Sequence, residues 1–239
     1  KLFVGQALII PVQSSREETL ADIEREMSPT VARFPDTLFY KGYSDGRRVV
    51  ALTFDDGPDK KATSEVLDLL KMYRVPATFF LVGSNVARNG DMIKRIIAEG
   101  HTVASHTWSH PDLRTLTEAQ LTNEMTQLEN EIQRITGLRT ALMRPPYGFV
   151  SDSNLQRLRE MGYKVVKWSV DTNDWRDQDV DKVLINTMPD IRDGAIILMH
   201  DYLQKSVTKE VLPEMIQSLR WQGYTFVTVD ELLGVKAYQ

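Results

Sequence analysis

The sequence predicts an α/β fold built on a parallel sheet whose strands are joined by helical crossovers. Three observations predict it. From Val49 onward, short β-branched runs alternate with longer helical patterns. The helical stretches carry apolar residues at the three-to-four spacing of a buried face. The polar clusters of the chain fall just after the strands, and a parallel barrel gathers such points at its C-terminal mouth. At 239 residues the chain has the length of a one-domain α/β barrel.

Taken in order, residues 1–46 read as an N-terminal extension packed on a domain spanning 47–239. The extension holds an apolar segment from Lys1 to Pro11, a helix opened by the capping box of Ser15 and Glu18, and a linker-like stretch with Pro29, Pro35 and Gly42. The opening Val4 to Pro11 resembles the closing strand of a LysM carbohydrate-binding repeat; an ordinary edge strand is the competing reading. Seven strands are expected near 49–54, 77–82, 101–105, 140–143, 164–169, 195–199 and 224–229. Between them, Ala62, Val66, Leu69 and Tyr73 form one helical stripe. Leu121, Met125, Leu128, Ile132 and Ile135 form another, with Thr117 and Gln120 as its capping box and Gly137 as its stop.

A net charge of −4 without a long basic run argues against a dedicated nucleic-acid surface. No apolar stretch has the length of a membrane span. The absence of cysteine excludes disulfides and thiol catalysis and leaves the redox compartment open. The chain begins at Lys1 rather than Met, as a processed or truncated form would, and shows no signal peptide. A monomer is the expected state.

Two of the four histidines, His106 and His110, stand four residues apart beside Pro111, a spacing that can place both imidazoles on one metal ion. Solvated residues of a surface helix are the bland alternative. The strand Val49 to Phe54 runs directly into Asp55-Asp56-Gly57-Pro58-Asp59, and a carboxylate with two histidines is a catalytic-type set that leaves coordination positions open. The clusters Arg144-Pro145-Pro146-Tyr147-Gly148, Asp171-Thr172-Asn173-Asp174-Trp175 and His200-Asp201 also follow strands. Five clusters at one mouth make one site.

These residues resemble the five motifs of the polysaccharide deacetylases with a NodB homology domain, carbohydrate esterase family 4. Thr53 to Asp59 is similar to the first, His106-Thr107-Trp108-Ser109-His110 to the second, Arg144 to Gly148 to the third, Asp171 to Trp175 to the fourth, and Leu198-Met199-His200-Asp201 to the fifth. The resemblance spans about Val49 to Leu233. It implies a distorted (β/α)7 barrel and metal-dependent removal of acetyl groups from N-acetylglucosamine units of chitin, chitooligosaccharides or peptidoglycan.

By the same resemblance Asp56, His106 and His110 hold a divalent metal. Zinc is the expected ion, and cobalt, nickel and manganese accept the same ligands. Asp55 is implied as general base, paired with Arg144; His200 as general acid, held by Asp174; and the backbone N–H of Tyr147 as an oxyanion donor. Tyr147, Trp175 and Leu198 are implied to contact substrate, the last two around the acetyl methyl. Asp171 is open between a supporting and a structural role, and Trp108 between packing and a sugar platform. His101 fits no motif and reads as structural. A substrate of this kind implies a secreted or wall-associated protein. Two other functions stay open: an esterase removing O-acetyl groups from xylan on the same scaffold, and a non-catalytic glycan-binding barrel.

Overall fold

The computed structural model describes residues 29–42, 46–202 and 207–239. The segment resembling a LysM repeat and the helix expected at Ser15 lie outside them. Among the described residues there are nine strands: β1 (Leu38–Phe39), β2 (Val49–Asp55), β3 (Thr78–Leu81), β4 (Thr102–Ser105), β5 (Leu142–Met143), β6 (Lys164–Val166), β7 (Val170–Asp171), β8 (Ala195–His200) and β9 (Thr225–Phe226). They pair in the order β1-β6-β5-β4-β3-β2-β8-β7, with β9 also on β2, and every pair is parallel.

All seven expected strands are found, but the run expected at 164–169 is split. Its first half, β6, lies next to one end of the hydrogen-bonded path, and β7 forms the other end. Only Lys167, Trp168 and Ser169 separate them. So short a link spans at most about 14 Å, so the path must curl until its ends nearly meet. The result is a distorted barrel closed on that side by the chain itself.

The helices are α1 (Pro29–Arg33), α2 (Ala62–Tyr73), α3 (Gly83–Val86), α4 (Gly90–Ala98), α5 (Glu118–Thr136), α6 (Asp152–Glu160), α7 (Asp174–Asp177), α8 (Val180–Thr187), α9 (Thr208–Trp221) and α10 (Val229–Leu233). In α5 the capping box forms as expected: Gln120 N–H donates to Thr117 Oγ1 at 3.3 Å, and Thr117 N–H donates to Gln120 Oε1 at 2.8 Å. Gly137 ends the helix at φ 77°. The buried face of α2 is rotated from its expected stripe, to Thr63, Val66, Leu67 and Leu70, leaving Leu69 and Tyr73 partly buried. Thr63 turns inward because it hydrogen-bonds Asp201. The stretch expected as linker-like instead supplies α1 and β1, and it buries Phe34 and Leu38. Its backbone satisfies the edge of β6 through Val165 N–H to Thr37 C=O and Lys167 N–H to Phe39 C=O.

Strand parity decides where each side chain goes, because successive residues face opposite sides of a sheet. Val50, Leu52, Phe54, Phe79, Val103, Ile197 and Met199 face outward into a core covered by α2, α4 and α9. A second outer core packs Leu121, Met125, Leu155 and Leu158 of α5 and α6 against Met143 and Val165. The alternate residues Val49, Ala51, Phe80, Ala104, Leu142, Val166 and Ile196 fill the barrel interior, which Val229 and Leu232 of α10 plug from below. Continuing those inward rows upward brings Thr53 and Asp55 of β2, His106 after β4, Arg144 after β5, and Leu198 and His200 of β8 to the mouth.

Candidate active site

Arg144 stands at the centre of the mouth with none of its surface exposed. A buried guanidinium requires partners for its donors, and here each nitrogen has one. Nη1 donates to Asp55 Oδ1 at 2.7 Å and to Thr53 Oγ1 at 2.8 Å, Nη2 to Lys167 C=O at 3.0 Å, and Nε to Val166 C=O at 3.2 Å. The group also lies 4.1 Å over the Phe80 ring. Burial pushes the Asp55 carboxyl above the ordinary carboxylate range, against the opposing pull of Arg144.

Beside this pair, Asp56, His106 and His110 turn one potential ligand atom each toward a common point, all within 4.8 Å of one another. His106 Nε2 is 3.5 Å and His110 Nε2 3.3 Å from Asp56 Oδ1. His106 Nδ1 donates to the Arg144 carbonyl at 2.8 Å, so the neutral ring turns an unprotonated Nε2 toward Asp56. Burial holds the His106 imidazole down at about 3, hence neutral. Asp56 Oδ1 is buried and has no hydrogen-bond partner. An orphaned carboxylate oxygen between two imidazole nitrogens fits a divalent cation, which would supply the missing charge.

The two histidines do not converge along a helix. They lie on an irregular loop whose Thr107 and His110 adopt positive φ, 68° and 61°. That conformation is costly for residues with a Cβ and needs outside support. Glu124 of α5 provides it, accepting from the N–H groups of Trp108 and Ser109 at 2.9 and 2.8 Å and from Ser109 Oγ at 2.8 Å. Trp108 packs on Gly83 and the outer core, which assigns it to packing.

The loop leaving β2 is held from the other side. Asp56 has φ 75°, and its carbonyl accepts from Asn85 Nδ2 at 2.8 Å. Asp201 Oδ1 accepts from Gly57 N–H at 3.1 Å, its Oδ2 from Thr63 Oγ1 at 2.5 Å, and its own N–H donates to the Asp55 carbonyl at 3.2 Å. A Cβ at Gly57 would overlap the Asp201 carboxylate. Glu124 and Asn85 are supports the sequence reading missed, and Asp201, placed by it in the last cluster without a role, is a third. Glu124 and Asn85 left no signal in the sequence, since each lies outside the five clusters.

Across the mouth, His200 Nδ1 lies 2.8 Å from Asp174 Oδ1, and His200 N–H donates to Asp174 Oδ2 at 2.9 Å. The Thr208 hydroxyl also donates to this fully buried carboxylate. Burial alone would lower the His200 imidazole, but the Asp174 hydrogen bond and charge, joined by Asp55 and Asp56, together raise it to about 9. A nuclear magnetic resonance titration of the metal-free protein is therefore expected to place His200 near 9, and Asp174→Asn to move it downward as burial takes over. The raised value contributes stability that is fully present below about 6.5 and is lost as pH rises through about 9. An unmoved titration in the variant would contradict this account.

Of the other expected residues, Leu198 is buried one inward position below His200, whereas Trp175 on α7 is 56% exposed. Tyr147 is 59% exposed at φ 59°, with its ring 4.7 Å edge-on to that of His110. Asp171 closes a turn by accepting from Asn173 N–H at 2.9 Å. His101 lies away from the mouth, its Nδ1 accepting from Ala77 N–H at 3.1 Å while the ring packs edge-on to Phe79.

Comparison with known proteins agrees with this geometry. The polysaccharide deacetylase family model matches residues 42–166. A peptidoglycan-N-acetylglucosamine deacetylase of Listeria monocytogenes is 42% identical over 187 residues, which cover 78% of this chain and 39% of that protein. The chain thus spans about two fifths of that relative's length. Among solved structures, the Bc1960 peptidoglycan N-acetylglucosamine deacetylase superposes with a TM-score of 0.84 at 32% identity, covering 88% of this chain and 99% of that one. The chitin deacetylase of Colletotrichum lindemuthianum gives 0.76 at 33% identity over 85% and 95%. With its strand order, its Asp-His-His cluster and these relatives, the chain belongs to the polysaccharide deacetylase family.

Proposed function

We propose that this protein hydrolyses N-acetyl groups from N-acetylglucosamine units of a wall or chitin-like glycan, releasing acetate. The observation that carries the reading is the pairing, on neighbouring strands, of Asp55 with His200 above a cluster of potential metal ligands. One is a carboxyl group paired with a guanidinium and the other an imidazole paired with a carboxylate, the base and acid that amide hydrolysis requires. Asp56, His106 and His110 would hold the divalent ion. When bound, it supplies Lewis-acid polarisation of the acetyl carbonyl and lowers the pKa of water. Zinc is our expectation for the native ion.

Asp55 takes a proton from the attacking water, and its upward-shifted carboxyl is the stronger base for it. Arg144 keeps that carboxylate ionised and aimed. The backbone N–H of Tyr147 stabilises the oxyanion of the tetrahedral intermediate. As the C–N bond breaks, His200 donates its proton to the departing nitrogen, which leaves as the free amine of glucosamine. Asp174 orients His200 and holds it protonated near neutrality. Leu198 and Trp175 bound the space for the acetyl methyl.

The relatives named for peptidoglycan N-acetylglucosamine and for chitin support an N-acetylglucosamine substrate, and a substrate of this kind is the reason to expect action at a cell wall or outside the cell. No described helix is long and apolar enough to cross a membrane. The test is acetate release from chitooligosaccharides and from peptidoglycan, by metal-free protein and after zinc or cobalt is added. Metal-restored release is expected. Failure with every ion, alongside cleavage of acetylated xylan, would make the protein an esterase instead.

A further inference from the structure

Beyond the residues assigned above, a row of rings leads away from the mouth. From His110 it passes to Tyr147 at 4.7 Å and on to Phe149 at 6.2 Å between ring centroids. Phe149 is 44% exposed, although it is apolar and its neighbour Val150 packs against a core. Its position is fixed. Phe149 N–H donates to the Pro146 carbonyl at 3.1 Å, and the Arg114 guanidinium lies 3.8 Å over the ring. Arg114 is itself held by Asp112, through Nε at 3.0 Å and Nη2 at 2.6 Å. The ring is thus backed on one face by a clamped cation, while much of its remaining surface is open to solvent. Asp112 engages Nε and Nη2 and leaves Nη1 as a donor at the rim.

From this geometry we infer that Phe149, backed by Arg114, is a binding platform for a second pyranose ring of the glycan, next to the sugar held at the mouth. The C–H face of a β-linked glucosamine unit is apolar and flat enough to stack on an aromatic ring, and its hydroxyls accept from a rim donor. Pre-orientation of the ring by Arg114 lowers the ordering cost of binding. The occupant follows from position: Tyr147 stands between His110 and Phe149, which puts the platform one ring beyond the mouth, where the next unit of a glycan held there can reach it. The inference rests on the glycan reading proposed above, and it makes the site selective for chain length.

The test measures binding of N-acetylglucosamine oligomers of two to five units by calorimetry, using metal-free protein so that turnover does not interfere. Wild type is compared with Phe149→Ala, Phe149→Leu and Phe149→Tyr. Leu keeps apolar bulk under Arg114 but has no flat face, and Tyr keeps the face. The affinity gained on lengthening the oligomer is expected to fall about five- to tenfold in the Ala and Leu variants and to persist in Tyr, with the thermal midpoint of the Leu variant unchanged. An equal loss at every length, no loss at any length, or no binding by wild type would each overturn the platform. Acetate release by wild type, assayed in parallel, judges the reaction separately: length-dependent binding without release keeps the platform and overturns the deacetylase reading.

Discussion

Asp55→Asn is expected to lower kcat for acetate release by about a thousandfold while leaving zinc binding intact. The substitution is close to isosteric, and its amide oxygen can still accept from Arg144 Nη1, which lies 2.7 Å from Asp55 Oδ1 in the native site. What is lost is the affinity for a proton, and that is what a general base contributes. The rival role for Asp55 is metal ligation, because its Oδ2 lies 3.7 Å from His106 Nε2. Calorimetric titration with zinc beside the acetate assay separates the two. Loss of activity with unchanged zinc affinity supports the base; loss of both makes Asp55 a ligand and moves the proton-accepting role elsewhere.

Arg144→Met should be the most damaging single change for the fold. It removes a fully buried cation that serves four acceptors and leaves Asp55 in the same low-dielectric environment without its counter-charge. Breaking a buried pair from one side costs about 3–5 kcal/mol, and the Asp55 carboxyl should climb further above its ordinary range. Arg144→Lys is not a rescue, since one ammonium cannot reach carboxylate, hydroxyl and two carbonyls in the plane of a guanidinium. Chemical denaturation measures the stability and the acetate assay measures the consequence. A loss below about 1 kcal/mol, the scale of an exposed pair, would mean that the barrel interior is wetter than its burial implies.

The candidate site residues were legible because their types are scarce and their contexts strong. Adjacent carboxylates leaving an apolar strand, a histidine pair before a proline, and a histidine at the end of the run from Ala195 to Met199 each stand out locally. Strand existence was legible for the same local reason, as was α5 with both of its caps. The shift of the buried face of α2 was not, since it depends on Thr63 meeting a carboxylate that lies far away in sequence. The division of the 164–169 run was hidden too. Its residues have continuous β preference, and only closure of the barrel assigns β6 and β7 to different neighbours.

The sequence by itself therefore determined the α/β alternation, the family and the inventory of candidate site groups, all carried by local pattern and by residue type. Tertiary structure decided which groups face one another. Inward parity on β2 and β8 brings Asp55 and His200 together, and a strained loop braced by Glu124, rather than a helix, aims His106 and His110 at Asp56. Arg144 is a surface-type residue by composition, yet it becomes the buried centre of the mouth once four acceptors from β2, β6 and the link after β6 converge on it. The physical reason is that burial and partnership are properties of convergence. A charge is stable inside only where distant segments supply its counter-charge and hydrogen bonds, and no local window of sequence contains them all.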